Sequence, residues 1–89
     1  MYNEFIIIAF SSTHQAIHFE RVLLGNFAIE LIPTPRGVSA SCGLSLKFEV
    51  EDLNAILVEL DRESKVGLQL FHAIIGTSDQ KMIPLNWER

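Results

Sequence analysis

Phe5-Ile-Ile-Ile-Ala-Phe-Ser-Ser-Thr-His-Gln-Ala-Ile-His-Phe-Glu-Arg-Val-Leu-Leu-Gly25 decides how the rest of the chain is read. Phe5 to Phe10 is apolar on both faces and too short for a buried helix, so it predicts a central strand covered on both sides. Ser11, Ser12 and Thr13 interrupt the run. Ser12 followed three positions later by Gln15 is a capping-box signature, which predicts a helix from Thr13 to Leu24 that stops at Gly25. Ala16, Phe19 and Leu23, flanked by Ile17 and Leu24, give the core stripe. His14, His18 and Arg21 lie opposite, and Glu20 falls inside the apolar stripe.

The same alternation of strand and helix recurs further along. Leu44, Leu46, Phe48 and Val50 alternate with Ser45, Lys47 and Glu49, which predicts a strand. Glu51 and Asp52 then supply the cap and acidic first turn of a second helix, whose apolar positions are Leu53, Ile56, Leu57 and Leu60. That helix is expected to fade near Ser64 and to stop by Gly67. Phe27 to Ile32 and Leu68 to Ile75 read as two further strands. The order strand, helix, strand, strand, helix, strand predicts an α+β domain of ferredoxin-like βαββαβ type: a four-stranded antiparallel sheet with two helices on one face. The expected organisation is a single domain over residues 1–75 and a C-terminal tail over 76–89. The helix-free face needs a cover, either from Met82, Ile83, Leu85 and Trp87 in the tail or from a second copy in a homodimer.

Composition narrows the function classes. With 89 residues, 48% of them hydrophobic, the chain suits one compact core. A net charge of −4 offers no clustered cations for a phosphate backbone, so nucleic acid is not an expected partner. No apolar run is long enough to cross a membrane, and Asn3 and Glu4 stand where a signal peptide would be basic. One cysteine permits no internal disulfide and no cysteine-based zinc site. A reduced thiol in the cytoplasm is the consistent expectation.

That cysteine, Cys42, sits in the least scaffold-like stretch of the chain, Leu31-Ile-Pro-Thr-Pro-Arg-Gly-Val-Ser-Ala-Ser-Cys-Gly-Leu44. Pro33 and Pro35 fix the backbone and remove donors, and Gly43 permits a conformation that a side chain opposes. Most free cysteines are small buried hydrophobes. Here Ser39, Ser41 and Gly43 surround the thiol, and Arg36 or backbone N–H groups would favour the thiolate. His14 and His18 have metal-ligand spacing but no third ligand, so no metal is expected. His14 at the helix start is instead a candidate proton acceptor for Cys42. Arg36 suits an anion such as selenite, sulfite or a carboxylate, with a plain salt bridge as the alternative. Glu20 fits a structural role, snorkelling or pairing with Arg36.

Ser12-Thr13-His14, Ala16 and Glu20, Leu31-Ile32-Pro33-Thr34-Pro35-Arg36, and Ser39-x-Ser41-Cys42-Gly43-Leu44 together make a pattern. On these residues the chain resembles the selenium/sulfur carrier protein-like family of small bacterial domains, from about the first strand to the fourth. The resemblance implies a compact domain whose cysteine carries sulfur or selenium, with a donor enzyme and an acceptor protein as partners. It also implies a link to selenium metabolism and to a companion redox-like protein with a Cys-Pro motif, which this chain lacks. Thr13, Glu20, Arg36, Ser39, Ser41 and Gly43 are the residues expected to line the site. No phosphate loop, carboxylate pair, Ser-His-Asp set or nucleotide-binding glycine pattern appears, so a carrier acting as co-substrate is expected instead of an enzyme, with no cofactor. The alternative is an anion- or peptide-binding regulatory module using the Thr34 to Gly43 loop.

Overall fold

The computed structural model describes residues 3–35, 38, 43–62, 67–76 and 79–85. Its first strand, β1 (Asn3–Ala9), is the centre of a five-stranded antiparallel sheet. Around it stand β2 (Ile29–Pro33), β3 (Leu44–Phe48), β4 (Gln69–Ile75) and β5 (Gln80–Leu85), in the order β2-β3-β1-β4-β5. The architecture is α+β, with two helices, α1 (Thr13–Leu24) and α2 (Leu53–Asp61). The expected four-stranded ferredoxin-like βαββαβ arrangement needs correction, because a fifth strand follows the fourth and joins the sheet. The extra strand comes from the expected tail: Gln80 to Leu85 pairs along the edge of β4, with Leu85 opposite Leu70 and Gln80 opposite Ile75. Pro84 has no N–H to give to a ladder, and an edge strand is where a sheet tolerates that loss.

Register assigns the faces. Ile6 pairs with Phe48 and His72, and Ile8 with Leu46 and Leu70, so these side chains share one face. Ile6, Ile8, Leu46, Phe48 and Leu70 join Ala16, Phe19 and Leu23 of α1 and Ile56 and Leu60 of α2 in one buried cluster. Both helices therefore cover the same face. Phe10, just past β1, stacks on Phe19 with ring centroids 5.8 Å apart, which ties the start of α1 to the core.

The other face of β1 is closed as well, as its apolar sequence requires. Ile7, Ala9 and Ala73 are buried within the single chain, although they point away from the helices. Lys47, opposite Ile7, reaches over Phe5 with its ammonium 4.7 Å from the ring centroid and 3.8 Å from Glu30. Its aliphatic stem thereby lies along apolar surface while its charge stays near solvent.

α1 starts where the capping residues place it. Ser12 is extended (φ −144, ψ 151), and its hydroxyl accepts the Gln15 N–H at 3.1 Å. The Gln15 side chain reaches back one residue further than a capping box predicts: its Oε1 accepts from the Ser11 N–H at 3.4 Å. The helix ends after Leu24, with the Asn26 and Phe27 N–H groups donating to the Leu23 carbonyl. Gly25 there remains right-handed (φ −71), so its left-handed freedom is not what stops the helix. Ile17 and Leu24, expected to flank the core, are 39% and 57% exposed and belong to the solvent face.

α2 is entered through a single 3-10 turn, Val50–Asp52, in place of the last residues expected for the preceding strand. Asp52 occupies the N-cap position without a side-chain capping bond; its contribution there is a negative charge at the positive end of the helix. The helix ends at Asp61, short of the expected Ser64. Gly67 then turns the chain into β4 with φ +85.

Candidate functional site

The topology gathers three connections at one end of the sheet. Ala9, the last residue of β1, pairs with Ser45 near the start of β3 and with Gln69 at the start of β4. The β1–α1 turn, the β2–β3 loop and the turn at Gly67 therefore leave the sheet side by side. Their contact is close: a Cβ on Gly67 would overlap the Ser11 hydroxyl and come within 3.5 Å of Gln15 Oε1. Glycine is required there by space and by φ together.

The β2–β3 loop has a defined base. Pro33 pairs with Leu44 as the last rung of the ladder. One residue on, the Thr34 N–H donates to the Gly43 carbonyl at 2.9 Å, and the Thr34 and Ser45 hydroxyls are 2.9 Å apart. Ser45 has no exposed surface and is the only buried polar residue among those described. Gly43 has φ +75 with open space around it, so its need for glycine is conformational. Above this base, the Val38 N–H meets the Pro35 carbonyl at 3.3 Å in a turn.

The expected site residues divide into three groups. Thr13 and His14, the first two residues of α1, are exposed at this same end of the sheet. Gly43, at the base of the β2–β3 loop, belongs to that end of the sheet as well. Glu20 is half-buried and lies roughly 10 Å further along the helix axis, so it is not brought to the helix start. Arg36, Ser39, Ser41 and Cys42 lie outside the described residues, as does Trp87 of the tail. The approach of His14 to Cys42 and the pairing of Glu20 with Arg36 rest on those residues and lie outside them too.

Thr34 and Ser45 are the residues that sequence reasoning missed. Their signal was present but nonlocal: Ser45 stands with Lys47 on the polar side of an alternating strand yet is fully buried, and only the register reveals its partner.

At the opposite end, Glu4, Glu49, Val50 and Glu51 line an open acidic cleft. Glu4 Oε1 there is 2.7 Å from His72 Nε2. Among the described residues no group of three or more His, Cys, Asp or Glu side chains could hold a metal ion. No helix in the described residues is long and apolar enough to cross a membrane.

Five antiparallel strands with two helices on one face define the class: a small α+β domain. The chain belongs to the family described as "Putative Se/S carrier protein-like", which matches residues 5–72. That match takes in β1 from Phe5 on, both helices, the whole β2–β3 loop and the first part of β4, and leaves β5 outside. No curated protein and no solved structure gives a significant match to the chain.

Proposed function

We propose that the protein is a sulfur or selenium carrier that uses Cys42 as its acceptor. The observation that supports this reading most is the family match over residues 5–72, which includes the cysteine loop. The geometry at the base of this segment supports it: backbone and hydroxyl hydrogen bonds fix Thr34 to Gly43 and to Ser45. Rigid scaffolds commonly display reactive residues on loops with a fixed base.

The chemistry is thiol exchange. The Cys42 thiolate attacks the terminal sulfur of a donor enzyme's persulfide; the new S–S bond forms on Cys42 as the old one breaks, and the donor cysteine leaves as thiolate. The terminal sulfur keeps its oxidation level throughout, so no outside oxidant or reductant is needed. The selenium version leaves a selenosulfide on Cys42. Delivery reverses the roles, with the acceptor protein's nucleophile attacking the outer atom and Cys42 leaving. The protein is thus a co-substrate, working between a donor enzyme and an acceptor protein in a reducing, cytoplasmic setting. In this reading Thr13 and His14, exposed at the start of α1, take part in docking a partner, and His14 takes up the thiol proton.

The test is mass spectrometry after incubation with a cysteine desulfurase and L-cysteine. The carrier reading expects an added sulfur on Cys42, lost on reduction and absent in Cys42→Ser. An unmodified Cys42, alongside a control acceptor that does load, overturns it. Full complementation of a deletion strain by Cys42→Ser would instead favour a non-covalent anion- or peptide-binding role for the Thr34 to Gly43 loop.

A further inference from the structure

β2 ends the strand order, and among the described residues no strand pairs with its outer side. The Thr34 N–H bond to the Gly43 carbonyl continues the β2–β3 ladder by one rung beyond Pro33 and Leu44. Hydrogen-bonded and open rungs alternate in an antiparallel pair, so Glu30 and Ile32 give their N–H and C=O groups to β3, while those of Ile29, Leu31 and Pro33 point outward. The Gly76 N–H bond to the Asp79 carbonyl fixes β5 by the same parity and turns Met82 and Pro84 outward. Each edge proline thus stands where its missing N–H faces away from the sheet.

The two edges differ in what flanks them. On the helix side β2 presents Ile29, Leu31 and Pro33, all apolar, whereas β5 presents Lys81 beside Ile83 and Leu85, a charge of the kind that keeps edge strands from pairing. α1 packs over β2 and β3. Its Ala16, Phe19 and Leu23 point at the sheet, and Gln15 lies on the flank toward Gly67 and β4. Ile17 and Leu24, two turns apart, lie on the opposite flank and overlook the free edge of β2. They are the two exposed large hydrophobic residues of α1.

We propose that the outer edge of β2 and the flank of α1 that carries Ile17 and Leu24 form a docking surface for a second copy of this chain, joined strand to strand about a twofold axis at Leu31. In that register the Leu31 N–H of each copy donates to the Leu31 carbonyl of the other, and each Ile29 N–H donates to the other's Pro33 carbonyl. Every outward donor finds an acceptor, and the missing N–H of Pro33 leaves only the Ile29 carbonyl without a partner. An axis one residue earlier would set Glu30 against Glu30, like charges directly opposed. An axis one residue later would leave Ile29 beyond the end of the other copy's strand. With the axis at Leu31, Glu30 faces Ile32 of the copy and keeps its contact with Lys47. A second copy fits better than a foreign strand because the edge is its own complement, and because the same twofold sets the Ile17 and Leu24 flanks against each other. The strand is short and Pro33 removes a bond, so the dimer dissociates at the dilution of optical unfolding experiments. This surface is not the helix-free face, and nothing in it depends on Cys42 or on sulfur transfer.

Sedimentation velocity of the full chain over a concentration series tests the association. The mass should rise from 10.0 kDa toward twice that value at about 100 µM. Ile17→Lys/Leu24→Lys, two changes at exposed positions, should leave the circular dichroism unchanged and weaken dimerisation by at least about tenfold. The register is read from disulfide formation with oxidised glutathione in a Cys42→Ser background. Glu30→Cys/Ile32→Cys sets thiols against each other across an open rung, where Cα atoms are about 4.5 Å apart, and should give a covalent dimer. Glu30→Cys alone should not, because the axis keeps the two copies of residue 30 diagonal to each other. A parent chain that stays monomeric throughout overturns the proposal, as does a dimer that the folded Ile17→Lys/Leu24→Lys variant leaves intact. If that variant unfolds, the cysteine pair decides, and its failure to cross-link overturns the proposal as well. Ready cross-linking by Glu30→Cys alone overturns the Leu31 axis. A monomer whose Ile29 and Leu31 amides become protected from exchange only when another protein is added would make β2 the site of a foreign strand and overturn the second copy.

Discussion

Gly67 and Ser11 are packed so closely that a Cβ on the glycine would overlap the serine hydroxyl. The contact joins the turn before β4 to the turn before α1, and Gly67 meets it in a left-handed conformation, φ +85. Gly43 has a similar φ of +75 but open space around it. Alanine at Gly43 should therefore cost only the backbone term, about 1–2 kcal/mol. Alanine at Gly67 adds a displacement of Ser11 and Gln15 and should cost more, about 3 kcal/mol. Urea midpoints at equal m-values would test this. Equal losses at the two glycines would show that the Ser11 contact relaxes freely.

The α1 cap gives a smaller and sharper expectation. Ser12→Ala removes the acceptor of the Gln15 N–H and should lower stability by about 1 kcal/mol, whereas Ser12→Asp should retain it. Thermal unfolding followed by circular dichroism would measure both. A Ser12→Ala chain as stable as the parent would mean that water replaces the serine at no cost.

Two substitutions on α1 separate its faces. Phe19→Ala empties a side chain that is 2% exposed and stacked on Phe10, and should cost about 3–5 kcal/mol. Leu24→Ala, at a residue 57% exposed, should stay within about 0.5 kcal/mol of the parent. A large loss at Leu24 would point to a covering surface that the single chain does not supply.

These contrasts show what a sequence can and cannot reveal. The helix Thr13–Leu24 was legible to the residue because its cap and its stripe of Ala16, Phe19 and Leu23 are local. Ile17 and Leu24 were not, because helical periodicity marks a stripe without saying which of its edges a sheet will cover. β5 was hidden for a different reason: Lys81 and Pro84 break the apolar alternation that interior strands need, and an edge strand survives those breaks. Within the candidate site, Pro33 at the end of β2 and Gly43 before β3 marked where the sheet pairing stops. The Thr34–Ser45 pair needed the β2–β3 register, which no periodicity in the chain specifies.

The edge position of β5 carries its own prediction. Ending the chain after Gly76 would uncover the outer edge of β4 and take Leu85 away from the core cluster it packs against. Exposed edges rich in β-forming side chains invite pairing with other chains, and Leu70, Phe71, Ile74 and Ile75 are of that kind. The shortened chain should lose about 2 kcal/mol and scatter light sooner on warming. Unchanged stability would mean that residues 5–72, the span of the family match, fold without the strand that follows them.

The last expectation concerns the thiol. An ordinary cysteine, with a pKa of about 8.5, is only a few per cent thiolate at neutral pH, and sulfur transfer requires the anion. If the loop serves transfer, its positive charge and N–H donors should favour that anion, and Cys42 should be alkylated faster at pH 7 than a cysteine in a model peptide. Arg36→Ala removes the one cation of the loop and should slow the reaction at pH 7 with less effect near pH 10, where the thiolate forms anyway. His14→Ala should slow it only if the exposed helix start, which shares the sheet end with the loop base, also reaches the thiol. The sign follows from charge: losing a favourable positive neighbour destabilises the thiolate and moves the alkylation midpoint to higher pH. A Cys42 that resists iodoacetamide until denaturant is added would instead be a buried packing residue, with no part in transfer.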